Sequence, residues 1–220
     1  MLESNSHEPG KISISEPVTP SLAFVRAAFS RNSNRPEIRN PHVESPVSAA
    51  TREAATASSV LILLTREEHP LVMFNKRQAN IRFGGHMCFP GGRAEVGEQV
   101  VDTALREAEE EIGLPRSEVE LLGSFGHYFS QAGYRIDPVV GIVQPQFGYQ
   151  PDPSEVASIH WISLKNMLDP GCYQFSLMRE GRGYFGYDND EIHVGGPTVS
   201  LMIGFLEWLA LFEPEAVLPD

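Results

Sequence analysis

Cysteine is scarce in this chain: Cys88 and Cys172 are the only two, and they form neither a CxxC pair nor a zinc-like spacing. A disulfide framework and a cysteine-bound zinc are therefore excluded as organising features. Long apolar runs are missing as well. The longest, residues 199–212, contains Glu207 and is too short to span a bilayer. Residues 1–10 carry Glu3 and Glu8 and no apolar stretch, so no secretory signal is expected and the cytoplasm is the default location. Basic residues are few: 17 Lys and Arg stand against 29 Asp and Glu, a formal charge of −12. Such a surface repels phosphates on average, which argues against non-specific binding to nucleic acid or to an anionic membrane. An enzyme for anionic substrates with this balance needs bound cations or a few well-placed arginines.

What is present suits one domain with a tail. The 220 residues are 41% hydrophobic and 9% aromatic, enough to fill a sizeable core. Residues 1–57 differ from the rest, being rich in Ser, Pro, Asn and Glu, with prolines at 9, 17, 20, 36, 41 and 46. They read as a largely extended lead-in draped over the domain, in which only residues 22–29 suit a short amphipathic helix. The domain is expected over 58–220. Residues 60–64 and 70–74 read as strands joined by a hairpin at 67–69. Gly84, Gly85, Gly91 and Gly92 punctuate a loop around Phe89-Pro90. Residues 98–112 suit a helix stopped by Gly113 and Pro115. Further strands are expected at 119–125, 136–143 and 156–162, a short helix at 164–168, and a long one at 198–212 with Thr198 as N-cap. Strands and helices mix without regular βαβ alternation, so the class is α+β or a layered α/β/α sandwich.

The chemistry concentrates in Gly92-Arg-Ala-Glu-Val-Gly-Glu98 and Arg106-Glu107-Ala108-Glu109-Glu110-Glu111-Ile112-Gly113-Leu114. Residues three and four apart share a helix face, so Glu107, Glu110 and Glu111 point roughly the same way. Three carboxylates so close repel one another and raise each other's pKa. A hard divalent cation offsets that, because Mg²⁺ and Mn²⁺ prefer carboxylate oxygens and also hold substrate phosphates. Glu98, about two turns before Arg106, can pair with it and orient the cluster. A solvated acidic helix face is the bland alternative, but it leaves Gly92, Glu98 and Gly113-Leu114 at set distances unexplained.

This segment resembles the Nudix box, Gly-x5-Glu-x7-Arg-Glu-U-x-Glu-Glu-x-Gly-U, where U is bulky and aliphatic; only the small Ala108 departs from it. The resemblance implies a Nudix fold with a mixed sheet between helices, and hydrolysis of a pyrophosphate bond. It further implies that Glu107, Glu110 and Glu111 bind Mg²⁺ or Mn²⁺, joined by the backbone carbonyl of Gly91. Arg106 becomes the orienting residue and Glu98 its partner. The general base stays open between Glu110 and Glu155.

A finer pattern lies outside the box. Met73-Phe-Asn-Lys-Arg77, Arg82, Gly85 and Phe89-Pro-Gly-Gly92 resemble the signature of the coenzyme A pyrophosphatases, as do residues 131–141 and 153–156. Phe74, Asn75 and Gln78 stand where that pattern has Leu, Thr and Ser or Ala, and Arg82 lies one residue nearer Gly85. The implied substrate is coenzyme A or an acyl-CoA, split into 3′,5′-ADP and 4′-phosphopantetheine. Its extra phosphate needs cationic contacts, for which Arg77, Arg82 and Arg135 are the candidates. Phe83 and Phe89 are candidates to flank the adenine or pantetheine. His86, His127, His160 and His193 lack a partner at fixed spacing and read as structural, as does Cys88. The rivals are a Nudix hydrolase for ADP-sugars, dinucleotides or NADH, and a Nudix-fold binding module without catalysis. The partner expected is a small nucleotide-derived molecule, and a homodimer is left open.

Overall fold

The structure is a computed structural model that describes residues 12–13, 20–144, 146–178, 181–209 and 213–214. Most of the expected lead-in before residue 20, and the expected helix end at 210–212, lie outside the described residues. In chain order the elements are β1 (Ile12–Ser13), α1 (Leu22–Arg31), α2 (Ala49–Glu53), β2 (Thr56–Thr65), β3 (Leu71–Arg77), β4 (Met87–Cys88), β5 (Gly91–Arg93), α3 (Val100–Ile112), β6 (Glu120–Ser124), β7 (Tyr128–Phe129), β8 (Tyr134–Val143), β9 (Val156–Ser163), β10 (Tyr173–Leu177), β11 (Gly183–Asp188), β12 (His193–Val194), α4 (Gly196–Trp208) and β13 (Glu213–Pro214).

The main sheet runs β4-β3-β2-β8-β6, with β5 added to β2, β7 to β8 and β9 to β3. Strands β2 and β8 are parallel from Thr56 opposite Tyr134 to Thr65 opposite Val143. The remaining pairs are antiparallel, so the sheet is mixed. The period-two geometry of strands divides the core. On one face Leu61, Leu63, Met73 and Val139 pack against Ala104, Leu105, Ala108 and Ile112 of α3. On the other, Ile62, Leu64, Val72, Phe74 and Val140 pack against Val199, Met202 and Leu206 of α4. This is the expected α/β/α sandwich. Among the described residues no helix is long and apolar enough to cross a membrane.

Helix α4 begins two residues before the expected start. Gly195 is its N-cap and Pro197 lies inside the first turn, where a missing N–H costs nothing because first-turn donors have no partner within the helix. Thr198 is therefore helical rather than the cap. Strands β10, β11 and β12 form a separate antiparallel sheet that short, half-exposed strands around Gly181 and Gly183 did not announce.

Residues 20–55 carry more structure than an extended lead-in. Ser21 caps α1 by accepting from the Phe24 N–H at 3.2 Å. The helix buries Leu22 and Val25, and its Arg26 pairs with Glu120 on β6. Ile38 enters the same core. It sits so near Gly204 that a Cβ there would come within 2.3 Å of its Cγ2. His42 is also enclosed: its Nδ1 accepts from the Phe185 N–H at 3.1 Å, and its Nε2 lies 3.2 Å from the Gly196 carbonyl. Prolines at 36, 41 and 46 break helices but do not prevent an extended segment from packing. The apolar anchors at 22, 25 and 38 are too widely spaced to show a period.

Candidate active site

Two glycines bring β5 under α3. Gly91 has φ 154°, and a Cβ there would lie 2.3 Å from the Ser59 carbonyl oxygen and 2.6 Å from the Val60 Cα. A Cβ on Gly92 would lie 2.4 Å from the carboxylate of Glu107. Only the bare backbone leaves room for that carboxylate between strand and helix. Helix α3 ends at Gly113 in the left-handed conformation at φ 65°, its N–H directed to the carbonyls of Ala108 and Glu109. The small Ala108 is fully buried against β2 and β8, where the helix lies close to the sheet.

Arg106 organises the charges. Its Nε donates to Glu98 Oε1 at 2.9 Å and its Nη2 to Glu98 Oε2 at 3.1 Å, a bidentate pair. Its Nη1 reaches Glu107 Oε1 and Glu110 Oε2, both at 2.9 Å, and Nη2 also donates to the Arg93 carbonyl at 3.0 Å. Glu98 is drawn down to about 2 by Arg106, with help from the Glu95 N–H and the Thr103 hydroxyl. Glu111 is the opposite case. It is 3% exposed, and burial, with the charges of Glu107 and Glu155, pushes it up to about 8 although the Gly91 N–H faces it. Its Oε2 accepts from Asn75 Nδ2 at 3.1 Å and from the Gly91 N–H at 3.3 Å. Glu107 is raised by burial first and by the charges of Glu110 and Glu155 after. The charge of Glu155, the residue before β9, thus bears on both Glu107 and Glu111.

Three carboxylates on one face, one of them buried, fit a hard divalent cation as a donor set. In the arrangement seen here they are not gathered for chelation: among the described residues no three His, Cys, Asp or Glu side chains converge closely enough to hold an ion. Arg106 draws Glu107 and Glu110 to itself, and Asn75 holds Glu111.

The candidate substrate residues divide. The Arg77 Nε donates to the Arg82 carbonyl at 3.3 Å, and its charge bears on Glu111. Arg82 lies over the Phe83 ring at 4.8 Å. Phe83 is 56% exposed and has φ 58°, a left-handed backbone that an aromatic residue seldom adopts. Arg135, in contrast, is held by Asp137 at 3.1 Å. Phe89 is 2% exposed and stacks on Phe74 at 4.8 Å. It belongs to the core on the α4 side of the sheet rather than flanking a ligand. Among the histidines, His160 meets Ser158 and His193 meets Asp188.

A model of the NUDIX domain matches residues 55–176. The chain belongs to the Nudix hydrolase family. It is similar to a Nudix hydrolase NudL of Photorhabdus laumondii, 32% identical over 157 residues covering 70% of this chain and 82% of that one. A NudL of Yersinia pestis is 36% identical over 137 residues, 61% of this chain and 67% of the relative. Among solved structures, a C. elegans Ap4A hydrolase is 17% identical with TM-score 0.43, over 49% of this chain and 80% of that one. A Nudix hydrolase from M. smegmatis is 19% identical with TM-score 0.44, over 52% and 74%. The Nudix hydrolases act on pyrophosphate bonds, and the matched residues 55–176 include the glutamate helix described above.

Several residues of this candidate site are not announced by the sequence. Thr103 donates to Glu98 at 2.9 Å and steadies the Arg106 pair. Arg93 donates to the Tyr134 hydroxyl at 2.6 Å, and the charge of Arg82 also bears on that phenol. Asn75 could have been noticed as a polar side chain within an apolar strand. Gly92 offers a direct check of the packing. Gly92→Ala should lower kcat roughly ten- to a hundredfold, because the Glu107 carboxylate must move. The melting temperature should fall only slightly, since the obstructing atoms are the far end of a flexible side chain. Unchanged kcat in a folded G92A chain would show that Glu107 is not held where turnover needs it.

Proposed function

We propose that this Nudix hydrolase cleaves the diphosphate of coenzyme A or a short acyl-CoA, giving 3′,5′-ADP and a 4′-phosphopantetheine fragment. The observation that carries the reading is a cationic and aromatic cluster beside the carboxylate helix of an otherwise acidic chain. It comprises Arg77 at the end of β3, Arg82 and Phe83 on the loop that follows, and Arg93 with Tyr134. A ligand with a purine ring and a phosphate beyond its diphosphate matches that cluster: guanidinium groups suit phosphate oxygens, and an exposed phenyl offers a stacking face. The likeness of Met73 to Gly92 to the coenzyme A pyrophosphatase pattern points the same way.

Glu107, Glu110 and Glu111, with the carbonyl of Gly91, would hold Mg²⁺ or Mn²⁺. When bound, such ions neutralise charge on the diphosphate and make a water acidic enough to attack phosphorus. The protein's own part is positional. Arg106 and Glu98 fix the helix face, and the loop arginines hold the substrate's outer phosphate. Glu110, exposed, or Glu155, immediately before β9, would take the proton of the attacking water. The oxygen of that water bonds to one phosphorus while the bridging P–O bond breaks, and the other phosphate leaves with the bridging oxygen.

The test is hydrolysis of a substrate panel with Mg²⁺ and with Mn²⁺, products identified by mass spectrometry. Coenzyme A should be turned over faster than ADP-ribose, dinucleotides or NADH. If an arginine reads the 3′-phosphate, dephospho-CoA should be poorer by roughly ten- to a hundredfold in kcat/KM, about 1.5–3 kcal/mol for one charge-assisted contact. Arg82→Ala should erase that discrimination more than it lowers activity on dephospho-CoA. Faster turnover of ADP-ribose or a dinucleotide would leave a Nudix hydrolase and remove the coenzyme A assignment.

A further inference from the structure

Strand β3 buries a polar side chain on the face it turns to α3. Asn75 lies opposite Cys88 of β4 and Ile159 of β9, paired on both sides, and is 1% exposed. It stands two residues from Met73, which packs under α3, so its side chain shares that face. A Leu or Val here would join the core. Asn instead buries an amide, which destabilises a fold unless both ends find partners.

One end has a partner and the other does not. Nδ2 donates to Glu111 Oε2 at 3.1 Å. Oδ1 is buried without any hydrogen-bond partner. With Glu111 ionised, as a cation ligand has to be, turning the amide over would set Oδ1 against a carboxylate oxygen, acceptor against acceptor. The orientation is fixed by Glu111, and the acceptor left over lies one amide group away from that carboxylate. A donor carried by a ligand of Glu111 would arrive within reach of it.

We propose that Asn75 is a positioning residue of the cation site: Nδ2 holds the Glu111 carboxylate, and Oδ1 accepts a hydrogen bond from a water carried by the divalent cation. The inference rests on reading the glutamate cluster as that site. Asn75 touches neither the cation nor the substrate. It sets the direction of one carboxylate and of one bound water, the way partners behind a metal ligand tune affinity.

The test is Mn²⁺ binding to the full chain, read by calorimetry or by the EPR signal of free Mn²⁺, for wild type, Asn75→Leu, Asn75→Ala and Glu111→Gln. Asn75→Leu fills a similar volume and removes the orphan acceptor, so its melting temperature should hold or rise. Its Mn²⁺ Kd should weaken roughly ten- to a hundredfold. The substrate KM at saturating Mn²⁺ should stay near wild type, with the loss falling on kcat. Asn75→Ala, which leaves room instead of bulk, guards against misfolding of the leucine variant and should weaken Mn²⁺ binding similarly. Wild-type Mn²⁺ affinity in either folded variant, with Glu111→Gln weakened, overturns the role of Asn75 alone. Wild-type affinity in Glu111→Gln overturns the cation site itself, and the role of Asn75 with it.

Discussion

Glu111→Gln should lower kcat by roughly a hundredfold or more at saturating Mg²⁺, without lowering the melting temperature. The side chain sits at the centre of the cluster, 3% exposed, with the Gly91 N–H and Asn75 directed at it. Glutamine keeps the volume and an oxygen that accepts from both donors. It removes the negative charge, which burial opposes and which the charges of Glu107 and Glu155 oppose further. The fold therefore loses a strain, and the chemistry loses a ligand. Glu107→Gln should behave alike, since that carboxylate is also raised by burial and by its acidic neighbours. Its amide oxygen still accepts from Arg106, losing only the ionic part of that bond, and the bidentate hold of Arg106 on Glu98 remains. Thermal melting and steady-state kinetics on the same samples separate the two effects. Wild-type kcat in both variants would remove Glu107 and Glu111 from the reaction.

The site was legible where its determinants are local in the chain. Helix periodicity alone puts Glu107, Glu110 and Glu111 on one face, and the spacing of Glu98 from Arg106 announces the bidentate pair at 2.9 and 3.1 Å. Gly113 stops α3 because only glycine takes its left-handed φ without cost. The continuous apolar runs at 60–64 and 70–74 declared β2 and β3 as buried strands. What stayed hidden depends on partners from distant elements. Phe89 looks like a loop aromatic beside Pro90, and its burial is decided by Phe74 on another strand. Asn75 acquires meaning only when α3 brings Glu111 over it, 36 residues later. Arg135 could have been discounted from sequence, because Asp137 two residues on shares its strand face. The β10–β12 sheet and the Ile38–Gly204 contact have no local signature at all.

A chain beginning at Thr51 should be markedly less stable than the full chain. Composition placed the start of the domain at residue 58, but the packing draws residues 20–55 into it. Leu22, Val25 and Ile38 lie in the same cluster as Phe125, Met202 and Phe205. Burying side chains of this size contributes roughly 1.5–3 kcal/mol each, offset in part by the entropy of ordering the segment. The deletion also removes Arg26 from Glu120 and His42 from Phe185 and Gly196. A net loss of about 4 kcal/mol is large against the ~5–15 kcal/mol that holds a typical domain. It should lower Tm by about 10 °C or more for a domain of this size. The exposed face of α4 and β6 should bind a hydrophobic dye and promote aggregation. Ile38→Ala in the full chain isolates one contact. It should cost about 2–5 kcal/mol, while kcat at a temperature where the variant is folded stays near wild type, because Ile38 packs on the sheet face opposite α3 and its glutamates. A truncated chain that melts cooperatively at the wild-type temperature would show that this segment lies on the domain without supporting it.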